Sequence, residues 1–335
     1  MCRRWSMFIM SIDFVEALST DNLTAIKAAP KTDVHCHAFF SARRESVEHW
    51  LGHPLTKPPL KMKGVEGMME YADAVLAPHI RHREGFEFVA VSAIDDAIQD
   101  GVVMLEMSFD IRLAEFYPNG LSELRAFIEA LVEQYQAQVD LRPELGFSRG
   151  SADDPKLMKL AQEAVELGFF QSIDLYSRQE VCPPEVMKPL FTKARAAGMK
   201  LKAHVGEFED AEEILRTVKV LDLDEVQHGI AAAESVEIMR WLSENQIQLN
   251  VCPTSNVMLD GVSELAAHPI RILFDNGVPV TINTDDLMIF GQSVSEEYRN
   301  LYQAGVFSAQ ELEDIRRASL APVGARLPRP YVKEE

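Results

Sequence analysis

From about residue 31 onward, short apolar runs alternate with longer amphipathic stretches. The short runs cover 32–37, 102–108, 139–147, 169–175, 200–205, 225–228, 248–252 and 279–283. Short runs of this kind, regularly separated by helix-length stretches, are the pattern of a parallel sheet. Between them, 122–138, 155–167, 185–197 and 232–244 repeat their apolar residues at spacings of three and four, the period of a helix that buries one stripe. Gly168, Gly198 and Gly277 each close such a stretch just before a strand, which suits a left-handed C-cap. Eight strand–helix alternations predict an α/β fold, a (β/α)8 TIM barrel.

One interval breaks the rhythm. Residues 39–98 are far more than a crossover needs and carry Pro54, Pro58, Pro59 and Pro78, so a helical insertion after the first strand is expected there. Its origin at the carboxyl end of a strand puts it on the face where barrel enzymes bind ligands. The expected organisation is an N-terminal extension over 1–30, one barrel domain over 31–320 and a C-terminal tail over 321–335.

Composition narrows the partners. Hydrophobic residues make up 47% of the 335, enough for a large core, and 33 basic against 52 acidic side chains give a net charge of −19. Such a balance opposes nucleic acid and anionic membrane surfaces, which need basic stripes. No run approaches the roughly 18 apolar residues of a membrane span. The basic and apolar start, 3–12, is too interrupted for a secretory signal. Cys2, Cys36, Cys182 and Cys252 form neither CxxC pairs nor a disulfide framework. A cytoplasmic protein acting on a small molecule is expected.

The chemistry gathers at the predicted strand ends: His35 and His37 after the first, His204 after the fifth, His228 after the sixth, Asp285 and Asp286 after the eighth. Alternation along a strand projects His35 and His37 to one side, with Cys36 on the other. Imidazoles with a carboxylate suit a borderline catalytic cation such as zinc, and iron is compatible with the same donors. Cys36 and Cys252 read as packing residues outside the metal shell. Glu207, three residues beyond His204, either caps the next helix or serves as an acid whose pKa burial would raise.

Five motifs in consistent order, His35-Cys36-His37, His204-Val205-Gly206-Glu207, Gln227-His228-Gly229, Cys252-Pro253-Thr254-Ser255-Asn256 and Thr284-Asp285-Asp286, resemble the adenosine deaminase family of metal-dependent aminohydrolases. The resemblance spans about residues 30–320. It implies a distorted barrel holding one zinc through His35, His37, His204 and Asp285, which acidifies a water. It further implies that His228 orients and deprotonates that water, Glu207 protonates purine N1, Asp286 binds N7, and ammonia leaves C6. The absence of Lys in 169–175 speaks against a bridging carboxylated lysine and a second metal.

Two departures bear on substrate. The family's Leu-Asp-Gly after the second histidine is Ala38-Phe39-Phe40, so Phe39 replaces the aspartate that contacts a sugar hydroxyl. The family's Asp-Leu-Ala-Gly-Asp-Glu is Asp174-Leu175-Tyr176-Ser177-Arg178-Gln179, so Ser177 replaces the glycine whose amide approaches purine N3. Arg178, with Arg43 and Arg44, either meets an anionic substituent or is an ordinary surface arginine. The resemblance implies hydrolytic deamination of adenosine, adenine or a modified derivative. The alternative is amide, lactone or ester hydrolysis on the same barrel, since fold alone does not fix chemistry.

Overall fold

The computed structural model describes residues 13–177 and 181–321. Eight strands follow one another in chain order around a single sheet, every neighbouring pair parallel. They are β1 (Lys31–His37), β2 (Val102–Asp110), β3 (Asp140–Ser148), β4 (Ser172–Tyr176), β5 (Lys200–Val205), β6 (Glu225–His228), β7 (Gln248–Val251) and β8 (Val280–Ile282). The predicted TIM barrel is the observed fold. Its seam between β8 and β1 is closed chiefly by side chains: Asn283 Oδ1 accepts from the Val34 amide at 2.9 Å and the Thr284 hydroxyl donates to Asp33 at 2.6 Å. Above them Cys36 and Asp285 form one parallel bridge, with the Asp285 amide donating to the His35 carbonyl at 2.9 Å. That bridge brings the ends of β1 and β8 together at the barrel mouth.

Helices wrap the outside as the period demands. Leu121–Tyr135 buries Leu121, Leu124, Ile128, Leu131 and Tyr135, the three-and-four stripe. Pro155–Glu166 starts with proline at N1 behind Asp154, whose side chain accepts from the amides of Lys156 and Leu157. Gly168, Gly198 and Gly277 have the expected left-handed φ of 61°, 80° and 72°. Two local expectations fail. The stretch predicted as one helix over 232–244 is a 3₁₀ turn, Ile230–Glu234, then a helix, Val236–Glu244, because the Ser235 side chain caps the second by accepting from Ile238 N at 3.3 Å. Phe169 and Phe170 precede β4 rather than opening it, since pairing with β3 begins at Ser172 opposite Glu144.

Between β1 and β2 run helices Arg44–Leu51, Gly64–Tyr71 and Ala77–Ile80, with a π-helical turn over Ala72–Leu76, before helix Arg83–Gln99. The last packs Phe86, Val89, Ala90, Ala93 and Ile94 inward and is the ordinary crossover. Of the others, Gly64–Tyr71 and the turn after it border the mouth, through Gly64, Val65, Met68, Met69 and Asp73. They are tied down where the Met62 and Gly64 amides donate to the carbonyls of Met258 and Leu259 at 2.7 and 3.2 Å.

Inside the barrel, two residues below His204, Lys202 is fully buried among carboxylates: Glu106 at 2.5 Å, Glu144 at 2.9 Å and Glu225 at 3.6 Å. Burial favours neutral carboxyls, but Lys202 and Lys200 outweigh it at Glu106, held at about 2, while Glu144 is pushed up to about 7. Lys202→Met removes the central cation and strands these carboxylates, so it should destabilise the fold by about 3–5 kcal/mol, the usual cost of breaking a buried pair from one side. Urea unfolding measures it; an unchanged midpoint and slope would show that the layer is electrostatically indifferent.

Candidate active site and metal centre

The carboxyl ends of β1, β5, β6 and β8 converge on one cavity of about 780 Å³, whose walls include His37, Phe39, Phe40, Ser177, His204, Glu207, His228, Asp285 and Asp286. Three of its residues hold positive φ without being glycine: Ser177 (76°), His228 (61°) and Asp285 (60°). Such conformations cost energy and concentrate where a side chain must be aimed. Ser177 thus takes the backbone form natural to the glycine it replaces.

His35 and His204 approach each other through their Nε2 atoms at 3.0 Å. His35 Nδ1 lies 3.0 Å from the Asn250 carbonyl, which can only accept, so that nitrogen carries the ring proton. His204 Nδ1 lies 3.2 Å from Asp174 Oδ1. Burial opposes ionisation of Asp174, but the adjacent His204 outweighs it and holds the carboxyl below its usual range, so His204 Nδ1 is the donor there. With His35 Nδ1 turned to Asn250 and His204 Nδ1 turned to Asp174, both Nε2 atoms point into one place 3.0 Å apart, where imidazole nitrogens are available to a cation. A carboxylate or carbonyl behind each ring is the ordinary support of a metal-ligating histidine.

Asp285 completes the centre. Its Oδ1 lies 3.4 Å from His37 Nε2 and 3.7 Å from His35 Nε2, and its Oδ2 accepts from the Ser255 hydroxyl at 2.7 Å. Burial alone would neutralise it; His37, His35 and His228 hold it ionised. Burial lowers His37 too, yet Asp286 and Asp285 outweigh it and push the ring up to about 10, the same demand for positive charge that a cation would meet. Burial, with His228 alongside, holds His35 well below the usual imidazole range. Donor atoms of His35, His204, His228 and Asp285 lie within 4.8 Å of one another, as do those of His37, Asp285 and Asp286. The expected ligands His35, His37, His204 and Asp285 straddle these two groups, which share Asp285.

The remaining groups face the same space. Burial, then Asp285, raises the Glu207 carboxyl well above its usual range. Its Oε1 accepts from Asn256 Nδ2 at 3.0 Å and its Oε2 is 3.5 Å from His228 Nε2. Gly206 favours this turn: at φ 71°, a Cβ there would come within 2.3 Å of Ile214 Cδ1, so a larger residue would need both a strained backbone and a shift of Ile214. Burial holds His228 neutral, at about 3. Asp286 is buried and pushed up to about 7 by burial and Asp285, and its Oδ1 has no protein partner.

Phe39 sits in an aromatic cluster, 4.9 Å from Phe40, 6.3 Å from Phe116 and 6.4 Å from Phe86 between ring centres. Arg43 pairs with Glu296 at 3.1 Å and Arg44 with Glu48 at 3.7 Å, and neither lines the cavity; Arg178 lies outside the described residues. Cys36 points to the Glu106 carbonyl, and Cys252 touches His35 from behind, 3.3 Å from Nδ1, so neither faces the centre. Sequence reasoning assigned no part to Asp174, Asn250, Ser255, Asn256 or His268. Asp174 and Asn250 carried a signal, being polar residues within otherwise apolar strand runs.

The sequence profile of the adenosine deaminase family matches residues 61–323. A protein of Treponema pallidum whose name couples adenosine with adenine deaminase is 35% identical over 294 residues, covering 88% of this chain and 98% of its own. The chain belongs to the adenosine deaminase family. Among solved structures, an adenine deaminase from Arthrobacter aurescens aligns with TM-score 0.73 at 24% identity over 87% of this chain and 92% of its own. An amidohydrolase from Burkholderia ambifaria, determined with bound zinc, aligns with TM-score 0.72 at 20% identity over 92% and 88%. The profile match begins beyond β1, so the inclusion of His35 and His37 in this deaminase family site rests on their geometry. No helix among the described residues is long and apolar enough to cross a membrane.

Proposed function

We propose that this chain is a zinc-dependent hydrolase that removes the exocyclic amine of an uncharged adenine-type purine, giving the hypoxanthine-type product and ammonia. What carries the reading is a carboxyl raised by burial, Glu207, and a second buried carboxyl, Asp286, facing one cavity beside two groups of metal-competent side chains that share Asp285. Hydrolysis of a simple ester or lactone has no use for a ring acid and a ring anchor. Deamination of a purine uses both.

His35, His37, His204 and Asp285 would hold the metal. The donor set, imidazole and carboxylate without thiolate, fits zinc, and iron(II) is the other cation it accepts. Bound there, the metal supplies Lewis acidity that makes water nucleophilic near neutral pH. Glu207, kept protonated by burial, donates from Oε2 to the ring nitrogen N1 and draws electrons from C6. Asp286, whose carboxyl burial and Asp285 push up to about 7, donates in its protonated form to N7 and fixes the ring plane. Ser177 lines the cavity, and its amide would donate to the ring's other edge, N3. His228 faces the point of attack.

Two features support an uncharged substrate. Phe39 belongs to the aromatic cluster, so no carboxylate stands at that position to meet a sugar hydroxyl. Beyond the centre, the described walls carry Lys63, Arg81 and Arg112 against Glu66, Asp73, Asp110, Glu115 and Glu209. Arg81 is paired with Asp73, and Arg112 with Asp110 at 2.6 Å. A phosphate would enter a net negative mouth, and like charges brought together cost several kcal/mol. We therefore expect kcat/KM for AMP to fall below that for the better of adenine and adenosine by at least about 100-fold, read from ammonia release and ultraviolet change. AMP as the preferred substrate would overturn the charge argument, and no ammonia from any purine with metal-loaded protein would overturn the function.

A further inference from the structure

Behind the site runs a chain of hydrogen bonds whose direction is set by a backbone amide. The Ile270 N–H lies 3.1 Å from His268 Nδ1. An amide N–H can only donate, so His268 Nδ1 accepts, the ring is neutral and its proton is on Nε2. That Nε2–H is 3.3 Å from Asn256 Oδ1, which accepts it. The orientation of the Asn256 amide follows, and its two N–H bonds go to Glu207 Oε1 at 3.0 Å and His228 Nδ1 at 3.2 Å. His228 Nδ1 is thereby an acceptor, so its proton is on Nε2. Asn256 is fully buried and His268 and His228 are 2% and 1% exposed, so water does not compete along this path.

We propose that Asn256 and His268 are positioning residues that lock His228 in the Nε2–H tautomer, making it a hydrogen-bond donor to the oxygen developing at C6 rather than the base that deprotonates the water. Nε2 is the nitrogen that faces the centre, 3.5 Å from Glu207 Oε2 and 3.8 Å from Asp285 Oδ2. A protonated Nε2 also cannot ligate a metal, which separates His228 from His35 and His204 within the group of four. The same Asn256 amide occupies Glu207 Oε1 and so assigns the transferable proton to Oε2. This differs from the expectation that His228 deprotonates the water, and leaves the carboxylates of Asp285 and of Glu207, once it has given up its proton, as acceptors. A fixed donor aimed where negative charge develops needs no reorganisation during the reaction.

The inference rests on the deaminase reading for its catalytic meaning but not for its ring-proton assignment, and the tests separate the two. In the metal-loaded enzyme labelled with ¹⁵N-histidine, the His228 ring, identified by its loss in His228→Gln, should show a bare Nδ1 and a protonated Nε2. Asn256→Asp presents acceptors to both neighbours and should move the His228 proton to Nδ1. With metal content unchanged, kcat should fall by about 10- to 100-fold, the usual scale for outlying partners of such sites. His268→Leu should lose a similar factor, and His268→Gln, whose amide can donate to Asn256, should recover most of it. A wild-type proton on Nδ1 overturns the proposal, as does equal activity of the Leu and Gln variants at position 268. Absence of purine deamination together with a proton on Nε2 overturns the functional reading instead.

Discussion

Glu207→Gln should lower kcat for deamination by about 10³-fold, the middle of the range that general acid catalysis supplies, with metal content and fold unchanged. The introduced amide matches the carboxyl in shape, and its oxygen still accepts from Asn256 Nδ2. What it lacks is a proton it can release. Because burial and Asp285 raise the Glu207 carboxyl, the competent acid form is present below the raised value and is lost as pH rises through it. The wild-type rate should therefore fall on the alkaline side, and the residual rate of the variant should lack the part of that fall due to Glu207. A variant within tenfold of wild type would remove Glu207 from the reaction, leaving helix capping as its remaining role.

The barrel was legible because parallel strands covered on both faces read as apolar runs, and the turns between them carry glycine caps. The same logic exposed the candidate centre: His35, His37, His204, His228 and Asp285 interrupt apolar runs at one end of the strands, where a core residue would be cheaper. Legibility stopped where a contact depends on packing between distant segments. Asn256 and His268 stand twelve residues apart on short elements, and nothing in their spacing joins either to His228. Ser235 looked like one more helical position because a cap differs from an interior serine only by its backbone angles. Phe39 was identified as a departure from the family motif, but its half-buried packing against Phe40, Phe86 and Phe116 depends on how the segments around the mouth are placed, which no period in the sequence orients.

Removal of the metal should have the larger effect of the two. Chelation followed by desalting is expected to lower deamination by at least about 10³-fold, since Lewis-acid assistance contributes several kcal/mol and each 1.36 kcal/mol is a factor of about ten. Added zinc or iron(II) should restore the rate in proportion to the metal bound. Stability should follow the same ion. The fold alone gathers the His35 and His204 Nε2 atoms 3.0 Å apart, and a metal that binds only this folded arrangement raises the melting temperature by mass action. His204→Ala removes one donor and should abolish both stoichiometric metal and its stabilising effect. Asp174→Asn keeps all four donors but replaces the ionised partner 3.2 Å from His204 Nδ1, so it should weaken metal affinity by about 10- to 100-fold. That graded order, with Asp174→Asn between wild type and His204→Ala in both metal retention and rate, follows from one shared ion and from no arrangement in which these histidines merely pack. Full activity in metal-free protein, or His204→Ala holding metal as tightly as wild type, would refute the centre.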